Sequence, residues 1–178
     1  MKNIKHNNRR DFLATTIKGV VVLGAGTTIA GGILNPGKAV AQTAEAALQA
    51  KIAMLGTASL QTSQLALSKA SNAEVKMFAK FEAAEQETMG KILKDMGTMV
   101  PAPGAEGKAM FAKLQSLNGA AFDAAFMQGQ VDTHIKLKDA VTSLMNATSS
   151  KDVKHVTSLA LTSIQEHTER GKMLLAKI

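Results

Sequence analysis

Two histidines, His134 and His167, occupy helical sequence patterns at positions where apolar residues are otherwise the rule. His134 recurs with Asp123, Met127, Gln130, Leu137 and Val141 at steps of three or four. His167 falls in the same way with Ala160 and Ile164. A second such pattern, through Val75, Phe78 and Met89, carries Glu82 and Glu85, with Gln86 beside them. On a third, Gln61 lies four residues from Leu65 and seven from Met54. Imidazoles and carboxylates brought inward from facing helices are what a transition-metal site in a helical bundle requires. The candidate ligands are therefore His134, His167, Glu82 and Glu85. The competing assignment is a structural one: each polar group is hydrogen-bonded to a neighbouring helix, and the glutamates reach water from the stripe edge. No Glu-x-x-His occurs, which argues against a carboxylate-bridged di-iron centre. Met96 and Met99 form a Met-x-x-Met pair, whose thioethers suit copper(I) and equally suit gap-filling in a core.

Other chemistries lack their residues. The 178-residue chain has no cysteine, so disulfides, thiol catalysis and thiolate metal sites are excluded. No Gly-x-Ser-x-Gly is present to raise a nucleophilic serine on a sharp turn. The glycine pairs Gly24-x-Gly26 and Gly31-Gly32 lie near the N-terminus, inside a segment that reads as a signal, and offer no phosphate loop. No catalytic residue is assigned, and no cofactor is required, although a transition metal fits the candidate ligands.

The elements that would position these side chains are four helices, expected over about 43–70, 72–97, 119–147 and 151–177. Leu48, Ile52, Leu55, Ser59, Thr62 and Ala66 give the first its stripe. Ser71-x-x-Glu74 reads as a capping box opening the second, and Gly97 as its stop. Pro101, Pro103 and two glycines between Thr98 and Gly107 mark the one long connection, followed by a short amphipathic piece at about 108–117. Thr148, Ser149 and Ser150 supply caps for the last helix. The expected fold is all-α, an antiparallel four-helix bundle made of two hairpins. In such a hairpin, residues equally far from the turn meet. His134 and His167 lie about 15 and 17 residues from the turn at Ser149 and Ser150, a mismatch of about 3 Å along the axis. They are expected to face one another, with Glu82 or Glu85 nearby.

Residues 1–41 read as a twin-arginine export signal. Arg9-Arg10-Asp11-Phe12-Leu13 matches its consensus, a glycine-rich and weakly apolar run follows, and Ala39-Val40-Ala41 is a cleavage site before Gln42. The apolar run is shorter than the roughly 20 residues that span a bilayer, so membrane attachment arises only if the signal stays uncleaved. Most of the chain's charge of +7 sits there: residues 42–178 carry 15 basic and 13 acidic side chains. With a net +2, no Trp and no Tyr, that domain lacks the footprint of a nucleic-acid binder.

Several stretches resemble the exported bacterial family called domain of unknown function 4142. They are Ala66-Leu67-Ser68-Lys69-Ala70-Ser71-Asn72-Ala73-Glu74-Val75-Lys76-Met77-Phe78-Ala79, then Gly119-Ala120-Ala121-Phe122-Asp123 with His134, and finally Gln165-Glu166-His167. The resemblance runs from about Ile52 to Leu175. It implies a ferritin-like four-helix domain in the periplasm or envelope, and no established reaction. It also implies a Glu where Gln61 stands, an Asp-His pair where Glu85-Gln86 stand, and a Tyr where Phe126 stands. His134 and His167 keep the pattern. The amides at Gln61 and Gln86 are poor ligands, so a metal site in this member would draw on Glu82 or Glu85. The function expected is that of an exported, non-catalytic bundle binding a partner or small ligand. The alternative is a metal-binding bundle using the core histidines and a carboxylate.

Overall fold

Alanine and leucine runs without internal proline, closed by Asn, Gly and Ser at their ends, dictate long helices. A computed structural model describes residues 36–178, with side chains from Thr43 onward. Arg9, Arg10, Phe12 and Leu13 lie outside the described residues. Five helices and no strand are found among those described: α1 (Pro36–Lys69), α2 (Ala73–Asp95), α3 (Ala105–Ser116), α4 (Gly119–Ala147) and α5 (Lys151–Leu175). The backbone of α1 thus runs through the expected cleavage site at Ala39 and Ala41. No helix among the described residues is long and apolar enough to cross a membrane.

Local chemistry explains the boundaries and corrects two expectations. The cap of α2 is Asn72, whose side chain accepts from the Glu74 and Val75 amides at 2.8 and 3.3 Å. Ser71 does not form the expected capping box because its hydroxyl and amide both donate to the buried Asp123 carboxylate of α4. Asn72 N donates to the same carboxylate at 2.8 Å. One acid therefore ties the α1–α2 turn to α4. Gly97 closes α2 with φ +84, and the Thr98 amide returns to Leu93 O at 2.9 Å, as a left-handed C-terminal stop requires. Ser150 caps α5 through the Val153 amide at 3.3 Å.

The second correction concerns the connection before α4. Helix α3 starts at Ala105, so Gly107 is helical and not part of the loop. Its lack of a side chain lets α3 lie on α1: a Cβ there would fall 2.7 Å from Ala58 Cβ.

Helix α4 packs on α1 and α5, and α2 packs on α1; α3 packs less extensively on α1, with a lesser contact to α4. The backbones of α2 and α5 approach each other at few points. Two apolar clusters fill the bundle. One gathers Phe78, Phe122, Phe126, Leu114 and Met127, and the other Leu93, Leu137, Val141, Leu144 and Ile164. Between them lies a buried polar layer of Ser59, Thr62, Ser63, Glu82, Gln130, His134 and His167. Such a layer persists only where its groups find partners.

Asp123→Ala should destabilise the protein by about 1–3 kcal/mol, the cost of leaving buried donors unpaired. Chemical denaturation measures this, and an unchanged midpoint would show that the carboxylate does not anchor the turn.

Candidate metal centre

Helices α2, α4 and α5 each contribute one side chain to a point inside the polar layer. Glu82 Oε2 lies 2.7 Å from His167 Nδ1 and 3.3 Å from His134 Nε2. The two ring nitrogens are 3.4 Å apart. All three side chains are buried, and their atoms form the one such group of potential ligands among the described residues. Metal–ligand bonds of about 2.1 Å place neighbouring ligands of a tetrahedral or octahedral ion roughly 3.0–3.4 Å apart. The separations of 3.3 and 3.4 Å fall in that range, and the 2.7 Å contact between Glu82 and His167 is shorter than it.

The outer hydrogen bonds decide where the lone pairs point. His134 Nδ1 lies 2.7 Å from the Gln130 carbonyl, which can only accept, so Nδ1 carries the hydrogen. In the neutral ring Nε2 is then a lone pair aimed at Glu82 and His167. His167 turns its Nε2 outward, 3.3 Å from Glu166 Oε2 and 3.6 Å from Glu85 Oε2, leaving Nδ1 inside. An imidazole whose far nitrogen meets a carbonyl or carboxylate is the usual setting of a metal-bound histidine. Phe78 packs edge-on against the His167 ring, centroids 5.6 Å apart, and fixes its plane.

Glu82 is anchored through its other oxygen. Oε1 accepts from the Gln86 amide at 2.9 Å and has the Ser59 hydroxyl at 2.5 Å. The same Ser59 Oγ also lies 2.7 Å from Gln130 Oε1, so its single hydrogen has two acceptors within reach. The Gln130 amide nitrogen in turn donates to Thr62 and Ser63 at 2.9 and 3.2 Å. Oε2 differs. Despite its close imidazoles it is the buried side-chain atom among the described residues with no hydrogen bond of proper geometry. Burial raises the Glu82 carboxyl, but the contacts and charge of His134 and His167 outweigh it and hold the group well below the usual carboxylate range. Burial lowers His167, and Glu82, with Glu85 and Glu166, outweighs that and raises it.

Of the four expected ligands, His134, His167 and Glu82 converge. Glu85 stands outside them: it accepts the Ser163 hydroxyl at 2.7 Å and touches only the outer face of His167. Gln61 is exposed, and the inward polar groups of α1 are Ser59, Thr62 and Ser63. Asp123 is buried but belongs to the turn. Met96 packs on the apolar core while Met99 is 87% exposed, so the two thioethers do not act together. Sequence spacing gives no sign of Glu166 as the outer partner of His167, since adjacent helical residues do not normally share a face.

A family profile described as "Domain of unknown function (DUF4142)" matches residues 35–174, and the chain belongs to that family. Comparison with curated proteins and with solved structures finds no match.

Proposed function

We propose that this chain binds a divalent first-row transition metal through Glu82, His134 and His167, in an antiparallel, ferritin-like bundle exported to the periplasm or envelope. The observation that carries this reading is the convergence of two imidazole nitrogens on an otherwise unbonded, buried carboxylate oxygen. Two imidazoles and one carboxylate suit iron(II), zinc(II) or cobalt(II), and leave positions open for water or a further ligand. Without a cation, the inward nitrogens and Oε2 need protons between them. A divalent ion replaces those protons, so binding should release protons and weaken as pH falls.

Titration with cobalt(II) tests the reading through its visible absorption. One equivalent should bind with release of protons, and zinc(II) should displace it. His134→Ala combined with His167→Ala should abolish loading and leave the helical far-ultraviolet spectrum in place. Loading that persists in the double variant would overturn the assignment. Loss of stability with no metal bound by the parent protein would mark the cluster as a hydrogen-bonded core element.

The export reading rests on Arg9-Arg10 and the Ala39-x-Ala41 step. Protein recovered from its native envelope should begin at Gln42. Replacing both arginines by lysine should stop export, because lysine lacks the planar guanidinium fork. Full-length protein held in the inner membrane would defeat the cleavage assignment.

A further inference from the structure

The wide seam between α2 and α5 leaves a cavity of about 350 Å³ beside the polar layer. Its walls include Ile52, Leu60, Leu93, Leu137, Val141 and Ile164. On α2 the lining runs from Glu85 to Lys94, about 13 Å along the helix axis. One end carries Glu85, Gln86 and Glu87, the other Lys91, Lys94 and Val100. Both lysines are exposed, as is Glu87 one turn before Lys91.

The charges along its rim sum to zero but are segregated, with Glu85 and Glu87 toward one end and Lys91 and Lys94 toward the other. The two acids are already engaged, Glu85 by the Ser163 hydroxyl and Glu87 by the Gln64 amide at 3.3 Å. Lys91 and Lys94 form no ion pair among the described residues. An elongated apolar chamber with two cations free of ion pairs at one end complements a molecule with a hydrocarbon tail and an anionic head. We propose that this cavity binds a single-chain fatty carboxylate, its tail between Ile52, Leu137 and Ile164 and its head at Lys91 and Lys94. The inference does not rest on the metal reading.

Gly90 provides a clean test. It lines the cavity, and a Cβ built on it meets nothing within 4 Å. Gly90→Leu has room for its Cβ and should occupy part of the chamber while favouring the helix. Decanoate is titrated calorimetrically into protein stripped with a chelator. Saturable one-to-one binding is expected, weakened roughly tenfold or more by Gly90→Leu and again by Lys91→Gln with Lys94→Gln. Decyltrimethylammonium, with the same tail and a cationic head, should bind roughly tenfold or more weakly than decanoate. The lysine double variant alters only exposed side chains and keeps the test decisive if Gly90→Leu misfolds. No saturable decanoate binding overturns the proposal, as does binding indifferent to the lysines, or recruitment to anionic vesicles without binding of the free acid. Cobalt(II) loading of Gly90→Leu, measured separately, should match the parent, so failure here is distinct from failure of the metal site.

Discussion

Glu82→Ala should leave the protein unable to hold a divalent ion and lower its unfolding free energy by about 3–5 kcal/mol, as removing one partner of a buried charged cluster does. Glu82 is wholly buried, and its loss removes the carboxylate that the Gln86 amide and two imidazoles face and leaves the Ser59 hydroxyl only Gln130 Oε1. The pH dependence of the metal-free protein provides a second readout. Glu82 sits below its ordinary 4.5 in the folded state, so its contribution is present above 4.5 and is lost as pH falls through the lowered value. His167 sits above its ordinary 6.5, so its contribution is complete below 6.5 and is lost as pH rises through the raised value. Stability should therefore plateau between about 4.5 and 6.5, and Glu82→Ala should flatten both limbs. Denaturant midpoints across pH measure this. A variant with the parent's profile would show that Glu82 does not couple to the histidines.

Phe122→Ala should cost about 3–5 kcal/mol, the range for emptying a buried aromatic site. The ring has no exposed surface and lies nearly parallel to Phe126, centroids 6.2 Å apart with planes 8° apart. Lys69 Nζ sits 5.6 Å from its centroid. Neighbouring Phe78, Phe126 and Leu114 are held by three different helices and cannot all collapse into the void. Thermal and chemical unfolding should both register the loss. A change under about 1 kcal/mol would indicate that the cluster repacks around the gap.

The facing histidines were legible because hairpin register depends on little more than distance from a turn, and Ser149 and Ser150 fix that turn. Stripe periodicity likewise placed Glu82, Gln130 and Asp123 inside. What periodicity could not resolve was which of two adjacent polar groups turns inward. Gln61 and Thr62 differ by 100° around α1, and the shorter hydroxyl is the one that fits, bonding back to Ala58 O at 2.9 Å. The same limit separates Glu82 from Glu85, three residues apart on one helix. The Ser71 capping box failed for another reason. Its local chemistry was sound, but a carboxylate 52 residues away competed for the hydroxyl. Helix α3 was only half legible, because Gly104 and Gly107 look alike in sequence and both lie against α1, while one precedes the helix and the other is inside it.

The sparse approach of α2 to α5 makes this bundle resemble a book with one unbound edge. Along that edge the joints are side chains alone: Phe78 and Glu82 against His167, and Glu85 against Ser163. Local opening should begin there, because little close backbone packing resists it. An ion held by Glu82 and His167 would act as a clasp on the free edge. The signal of loading would then be a quieting of motion in α2 and α5, with little change in their mean positions.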